Sequence, residues 1–137
     1  MNTPERIIAH LDLDTFFVSV ELLNQPEHRG KPVFVGGRDR GVVTSASYEA
    51  RAFGIRSGMP SKKAMQLCPQ AIVLNWSRGE YSRYSRWVTQ IIAAKAPLFE
   101  KASIDEFYID LTGMQKFFNP LQWTIDLRQQ IMDETKL

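Results

Sequence analysis

Two carboxylate pairs, each set in an apolar run, are the residues of this chain best suited to chemistry. Asp105 and Glu106 interrupt SIDEFYIDL at 103–111, and Asp12 and Asp14 interrupt AHLDLDTFF at 9–17. Neighbours on a straight strand point to opposite faces, so Asp105 and Glu106 converge only at a strand end or hairpin turn. Magnesium takes hard oxygen ligands and is held by one or a few carboxylates plus substrate phosphates. Two such ions roughly 4 Å apart clamp the attacking and leaving oxygens of a phosphoryl transfer. Asp12, Asp105 and Glu106 are a sufficient set for two divalent metals, with Asp12 bridging and the main-chain carbonyl of Leu13 assisting. Asp14 is expected to cap a helix, and Asp110, on the Tyr108 face, to be structural. His10 and His28 lie in different settings, and Cys68 is the one cysteine, so no zinc set is expected. DLD before a helix or DE at a turn is, taken alone, more often a cap or a solvated turn. Both pairs together, each inside an apolar strand, point to a site.

A second constellation is SYEAR, where Tyr48 and Arg51 stand three apart and share a helix face. A phenol and a bidentate guanidinium there could grip polyphosphate. On these residues alone, a surface tyrosine and a salt-bridged arginine is the commoner outcome.

The elements that must position these groups follow from pattern and punctuation. A buried strand is expected over 6–13, a helix over 15–24, and a hairpin from strands at 31–35 and 41–46 around GGRDRG at 36–41. Ser47 and Gly54 bracket a short helix, Ser61 is expected to cap another before Pro69, and 71–76 is a strand. The clearest helix is 79–96, with Tyr81, Tyr84, Val88, Ile91 and Ile92 on one stripe. Two strands at 97–104 and 107–111 meet at Asp105-Glu106. Asn119 caps a last helix with Pro120 at its favoured first position; it carries Leu121, Ile125 and Met132, with Trp123, Leu127 and Ile131 beside them. The plan is α+β, a sheet with helices on one face and a small α/β block inserted after the first strand.

The chain has 137 residues, 44% of them hydrophobic and 11% aromatic, enough for a real core. The net charge of +2 does not by itself demand nucleic acid. One cysteine excludes an internal disulfide and fits a reducing cytosol, so a cytoplasmic location is expected. No apolar run approaches the ~20 residues that span a bilayer, and no signal-peptide pattern is present, so no membrane partner is expected. The chain stops within a helix, at DETKL, and is expected to be a piece of a longer protein.

HLDLDTFFVSVE, SYEARAFGIRSGMP and ASIDEFYIDLTG, in this order and spacing, resemble the Y-family translesion DNA polymerases, most of all their DNA polymerase IV branch. The resemblance runs from about Ile7 to Gly113 and more weakly through the last helix. It implies a palm-type, antiparallel-rich sheet, with 1–14 as the first palm strand, 15–77 as a small fingers subdomain and 78–137 as the palm continuation. It implies that Asp12, Asp105, Glu106 and the Leu13 carbonyl hold two Mg²⁺, for which Mn²⁺ can substitute. Tyr48 and Arg51 would then hold the triphosphate of an incoming deoxynucleotide, with Ser45 adding a hydroxyl and the Phe16 and Phe17 N–H groups facing phosphate. The Phe17 ring falls at the family's steric-gate position, which excludes a 2′-hydroxyl; a core aromatic is otherwise the commoner fate of FF. Val42, Thr44, Ser57 and Gly58 would form a loose roof over the new base pair, at a cost in fidelity.

The implied partners are primer-template DNA and a deoxynucleoside triphosphate. A sliding clamp would be reached through a C-terminal region not present here. The thumb and little-finger parts of the family are also absent, so the piece alone is expected to bind DNA weakly and to polymerise poorly or not at all. Arg38, Arg40, Arg56, Lys62 and Lys63 are the local basic residues left. A haloacid-dehalogenase-like phosphatase remains an alternative because DLDT follows a strand, though its threonine would stand one position later. A palm-fold nucleotidyl cyclase leaves SYEAR unexplained. A non-catalytic polymerase-like scaffold should have lost the acids.

Overall fold

The computed structural model describes residues 5–38, 40–76 and 78–137, the Arg78 side chain excepted. Residues 1–4 of the expected first palm segment, Asp39 of the 36–41 turn and Ser77, the expected last fingers residue, lie outside the described residues. The chain forms two compact units, one made of Met1–Leu13 and Ser82–Leu137, the other of Asp14–Tyr81.

The first unit is built on a three-stranded antiparallel sheet in which β6 (Glu106–Asp110) lies between β1 (Ile8–Asp12) and β5 (Phe99–Ser103). Alternation divides β6 cleanly. Phe107 and Ile109 are fully buried, whereas Tyr108 is exposed. The long helix α4 (Arg78–Lys95) carries Val88, Ile91 and Ile92 into the core. It binds the sheet through Thr89, whose hydroxyl accepts from Lys101 Nζ of β5 at 3.0 Å. The last helix, α5 (Pro120–Thr135), starts as the sequence predicts, with Asn119 Oδ1 accepting from the Gln122 N–H. Its buried residues are Leu127, Ile131 and Thr135, while Leu121, Ile125 and Met132 are exposed, Leu121 by 70%. Two apolar stripes run along this helix, and the one at 127, 131 and 135 faces inward.

The second unit has its own sheet, order β3-β2-β4, from β2 (Val33–Gly36), β3 (Val43–Ala46) and β4 (Ile72–Leu74). The β2–β3 pair is the expected hairpin, and β2 pairs with β4 in parallel. Here helices cover both faces, not one. Val33 and Val35 share a core with Val18 of α1 (Phe16–Asn24). Phe34, between them in sequence, packs with Ala50 of α2 (Tyr48–Ala52) and Ala64 of α3 (Ser61–Leu67). A strand buried on both faces reads as a continuous apolar run, which is why KPVFV shows no alternation. At the hairpin a Cβ on Gly36 would stand 2.6 Å from the Val42 carbonyl oxygen, so only glycine fits that close backbone approach.

Two expected caps are not formed. Asp14 does not cap α1; the N-cap is Thr15, left-handed at φ 48°, and no side chain caps the helix. The Thr15 hydroxyl pairs with that of Ser19 at 2.9 Å, and the Asp14 carboxylate turns toward Arg51 at 3.9 Å. A β-branched residue at positive φ is strained. Ser61 is not a cap either, since Pro60 holds that position and Ser61 opens α3. The Ser61 N–H donates to the Gly41 carbonyl at 3.0 Å, and Pro60 bridges Val42, so the helix start is sewn to β3 and the Ser61 hydroxyl is buried. The parallel sheet that a haloacid-dehalogenase-like phosphatase needs around its first strand is also absent among the described residues, because β1 pairs with β6 antiparallel.

Two polar contacts give testable stability. In the second unit Glu21, only 2% exposed, accepts from the Tyr81 hydroxyl at 2.6 Å. Tyr81→Phe strands a buried carboxylate and is expected to lower stability by about 1–3 kcal/mol, read from the urea midpoint; an unchanged midpoint would show the contact to be idle. In the first unit Asp110 closes β6, its Oδ1 accepting from the Thr112 N–H at 2.9 Å. Hydrogen bonds from Thr112 hold this carboxyl below the usual carboxylate range. A lowered folded value contributes stability above the unfolded value and loses it as pH falls through the folded one. The stability gap between the parent and Asp110→Asn is therefore expected to be full at pH 7 and to close below about pH 4, measured as urea midpoints across that window.

Candidate functional site

The acidic end of the first sheet is set by register. Asp12, the last residue of β1, stands opposite Glu106, the first residue of β6. The ladder then continues past the strand end, with the Leu13 N–H donating to the Asp105 carbonyl at 2.8 Å. Asp105 sits in the tight turn between β5 and β6, the bend that adjacent acids require if they are to converge. That turn is tied from α4 by the buried Ser85, whose hydroxyl donates to the Ile104 carbonyl. The structure thus gathers Asp12, Leu13, Asp105 and Glu106 at one sheet end.

Their side chains are engaged in separate ways. Asp105 Oδ1 accepts from the Ser103 hydroxyl at 2.9 Å. Glu106 Oε1 contacts His10 Nε2 at 2.7 Å and accepts from the Tyr108 hydroxyl at 3.3 Å. Among the described residues no three His, Cys, Asp or Glu side chains are arranged to hold a metal ion as they stand. The donor chemistry nevertheless fits a hard divalent cation: carboxylate oxygens on two paired strands, a neighbouring main-chain carbonyl, and no thiol beside them.

His10 and Tyr108 are the site residues that sequence reasoning missed. They face each other in the register, and their rings stack at 4.5 Å with a 9° interplanar angle. The signal was available: His10 lies two residues before Asp12, and Tyr108 two after Glu106, so each shares a strand face with an acid. The Glu106 charge, foremost, pushes the Tyr108 phenol above its ordinary value, the direction expected of a hydroxyl beside a carboxylate.

The remaining sequence-predicted residues lie in the second unit. Phe16 and Phe17 open α1, where the first-turn N–H groups have no side-chain cap and are available to an acceptor. The Phe17 ring is held edge-on against Tyr81 at 4.9 Å and tilted against Trp76 at 5.5 Å. The Ser47 hydroxyl accepts from the Val33 and Ala50 N–H groups and donates to the Lys31 carbonyl, fixing the start of α2 to β2. Tyr48 and Arg51 then share a face as expected, with the guanidinium 5.3 Å from the ring centroid. Arg51 Nε donates to the Ala46 carbonyl at 3.2 Å, and Tyr48 is 62% exposed. Ser45 is buried on β3. Val42, Thr44, Ser57 and Gly58 gather along β3: the Ser57 hydroxyl donates to the Thr44 carbonyl at 2.7 Å, and the Gly58 N–H to the Val43 carbonyl at 2.7 Å. Thr44 also accepts from Trp76 Nε1.

The model of the impB/mucB/samB family matches residues 11–137. The chain is similar to the DNA polymerase IV of Treponema denticola, 43% identical over 135 residues, which cover 97% of this chain and 34% of that protein. Among solved structures it is similar to DinB from Sulfolobus solfataricus, with a TM-score of 0.87 and 34% identity over 94% of this chain and 39% of that one. It is equally similar to a Y-family DNA polymerase chimera, with a TM-score of 0.87 and 32% identity over 94% of this chain and 40% of that one. The chain spans about a third of the length of the curated relatives it matches. The family match covers nearly the whole chain, and the chain therefore belongs to the impB/mucB/samB family.

Proposed function

We propose that this chain is the acid-bearing part of an error-prone, translesion DNA polymerase. It would add deoxynucleotides to the 3′ end of a primer paired to a DNA template. The observation that carries this reading is the register Asp12–Glu106 with the Leu13–Asp105 bond beside it, in a chain 43% identical to a DNA polymerase IV. Residues 1–14 and 78–137 would serve as palm and 15–77 as fingers.

Asp12, Asp105, Glu106 and the Leu13 carbonyl would hold two divalent cations, Mg²⁺ by donor type and Mn²⁺ as a substitute. Such ions, when bound, stabilise the charge on the attacking 3′-oxygen, the α-phosphate and the departing pyrophosphate. Asp12 and Glu106 come from strand ends and Asp105 from the tight turn between β5 and β6. Tyr48 and Arg51 would grip the triphosphate, the guanidinium by paired N–H groups, with Ser45 and the uncapped N–H groups of Phe16 and Phe17 adding donors. The Phe17 ring, braced by Tyr81 and Trp76, would resist displacement by a 2′-hydroxyl and so select deoxyribose. Val42, Thr44, Ser57 and Gly58 offer small side chains to the new base pair. Among the described residues no helix is long and apolar enough to cross a membrane, and the reading places the protein in the cytoplasm. Clamp binding is assigned to the part of the relatives that the chain does not span.

A chimera in which this chain replaces its matching segment of the Treponema denticola relative tests the reading by primer extension. Extension is expected with Mg²⁺ or Mn²⁺, and Asp105→Ala or Glu106→Ala should lower it at least about 100-fold, the loss of a few kcal/mol of charge stabilisation. A chimera that extends undiminished without these acids would overturn the assignment. Phe17→Ala is expected to admit ribonucleotides while retaining deoxynucleotide incorporation. Unchanged sugar discrimination in that variant would remove the gate.

A further inference from the structure

We infer that His10 and Tyr108 are positioning residues for Glu106, fixing its Oε1 so that Oε2 is presented to a divalent cation. This inference rests on the reading that Glu106 holds a cation.

Three observations carry it. First, both contacts converge on one oxygen: His10 Nε2 lies 2.7 Å and the Tyr108 hydroxyl 3.3 Å from Oε1, and Oε2 takes neither. Second, the donors are themselves ordered. His10 and Tyr108 are register partners, and their rings lie stacked, 4.5 Å apart and 9° from parallel. Third, the carboxylate needs such help. The Glu106 side chain is 33% exposed and that of His10 46%, so neither is held by burial. A free glutamate side chain gives up as much as ~2 kcal/mol of rotamer freedom when fixed, a cost that a preset orientation removes before the ligand arrives.

The geometry also separates this role from direct ligation. The His10 nitrogen nearest the acids is Nε2, and its bond to Glu106 occupies the atom a metal would need. Hydrogen bonding to a ligating carboxylate is a recurrent outer-shell device, and losing such a partner lowers metal affinity about 10- to 100-fold. Of the two donors His10 is the closer and should dominate.

The test is Mn²⁺ binding to the chain itself, followed by electron paramagnetic resonance of the free ion, with thermal unfolding of each variant in parallel. His10→Phe keeps a ring against Tyr108 and removes the nitrogen. His10→Gln places an amide nitrogen near the Nε2 position and removes the stack. The inference expects His10→Phe to weaken Mn²⁺ about 10- to 100-fold, His10→Gln to recover most of that loss, and Tyr108→Phe to show a smaller loss, without matching shifts in unfolding temperature. Equal losses in His10→Phe and His10→Gln, or full affinity in His10→Phe, would overturn it. Glu106→Gln reports on the underlying site: if it binds Mn²⁺ as tightly as the parent, or if the parent binds none, both the site and the inference fall.

Discussion

The antiparallel register of β1 against β6 is the constraint on which the acidic site depends. Strand side chains alternate, so a slip of one residue would carry His10 and Asp12 to the core face and turn Leu11 outward. The polar face does not set this register by itself. Leu11 pairs with Phe107 and Ala9 with Ile109, and Phe107 and Ile109 are fully buried. Burying a side chain of that size contributes about 1.5–3 kcal/mol, more than a typical net hydrogen bond of about 1 kcal/mol. On β1, expected as a buried strand, only Ala9 and Leu11 are half-buried because its other face is open, and their turn toward Phe107 and Ile109 favours the pairing that opposes Asp12 to Glu106.

The second unit solves a related problem by different means. Tyr48 must be exposed to act on a ligand, yet an exposed residue on a five-residue helix has little of its own to order it. Order comes from beneath. Ser47, buried, spends its single hydroxyl on three partners that join α2 to β2, and Ala50 is sealed into the core. Phe17 is treated alike: its helix is anchored by the buried Phe16 and Val18, and its ring by Tyr81 and Trp76. Tyr81 is in turn held by Glu21. The aromatic that would gate the sugar is thus the half-buried edge of a packed cluster and not a free side chain.

Much of this was legible in the chain. The bend at Asp105-Glu106, the hairpin around 36–41, the bracket of Ser47 and Gly54 and the start of α5 at Asn119-Pro120 all rest on local chemistry and formed as expected. What failed depended on tertiary context. Asp14 is a good capping residue, but Thr15 takes the cap in a strained left-handed conformation while the Asp14 carboxylate turns toward Arg51. Ser61 is likewise a good cap by type, displaced because the start of α3 is bonded to β3. On α5 the sequence offers two apolar stripes, and only packing chooses between them. Asp12, Asp105 and Glu106 were readable as acids in strands. The two-residue spacing puts His10 on the Asp12 face and Tyr108 on the Glu106 face, but that both converge on Glu106 was not legible, because His10 and Tyr108 stand 98 residues apart and meet only once the register is known.

Those donors bear on how three carboxylates can share one sheet end. Directly opposed cross-strand residues have Cβ atoms about 4.5–5.5 Å apart, and two unit charges about 5.5 Å apart repel. Their repulsion is then about 0.7 kcal/mol in a water-like medium and about 3 kcal/mol at an effective dielectric constant of 20. A hydrogen bond to a charged group contributes about 1.5–3 kcal/mol, and less where solvent competes, as it does at Glu106. One donor would leave the balance close; the sheet supplies three. Ser103 bonds Asp105, while His10 and Tyr108 both bond Glu106, and Ser103 and Tyr108 each stand two residues from the acid they serve. The two-residue strand period puts Tyr108 on the Glu106 face, and the tight turn brings Ser103 to Asp105, so alternation and turn together supply the donors the cluster needs. The donors to Asp105 and Glu106 are a hydroxyl, a phenol and an imidazole, groups that orient a carboxylate without carrying the fixed positive charge of a lysine or arginine.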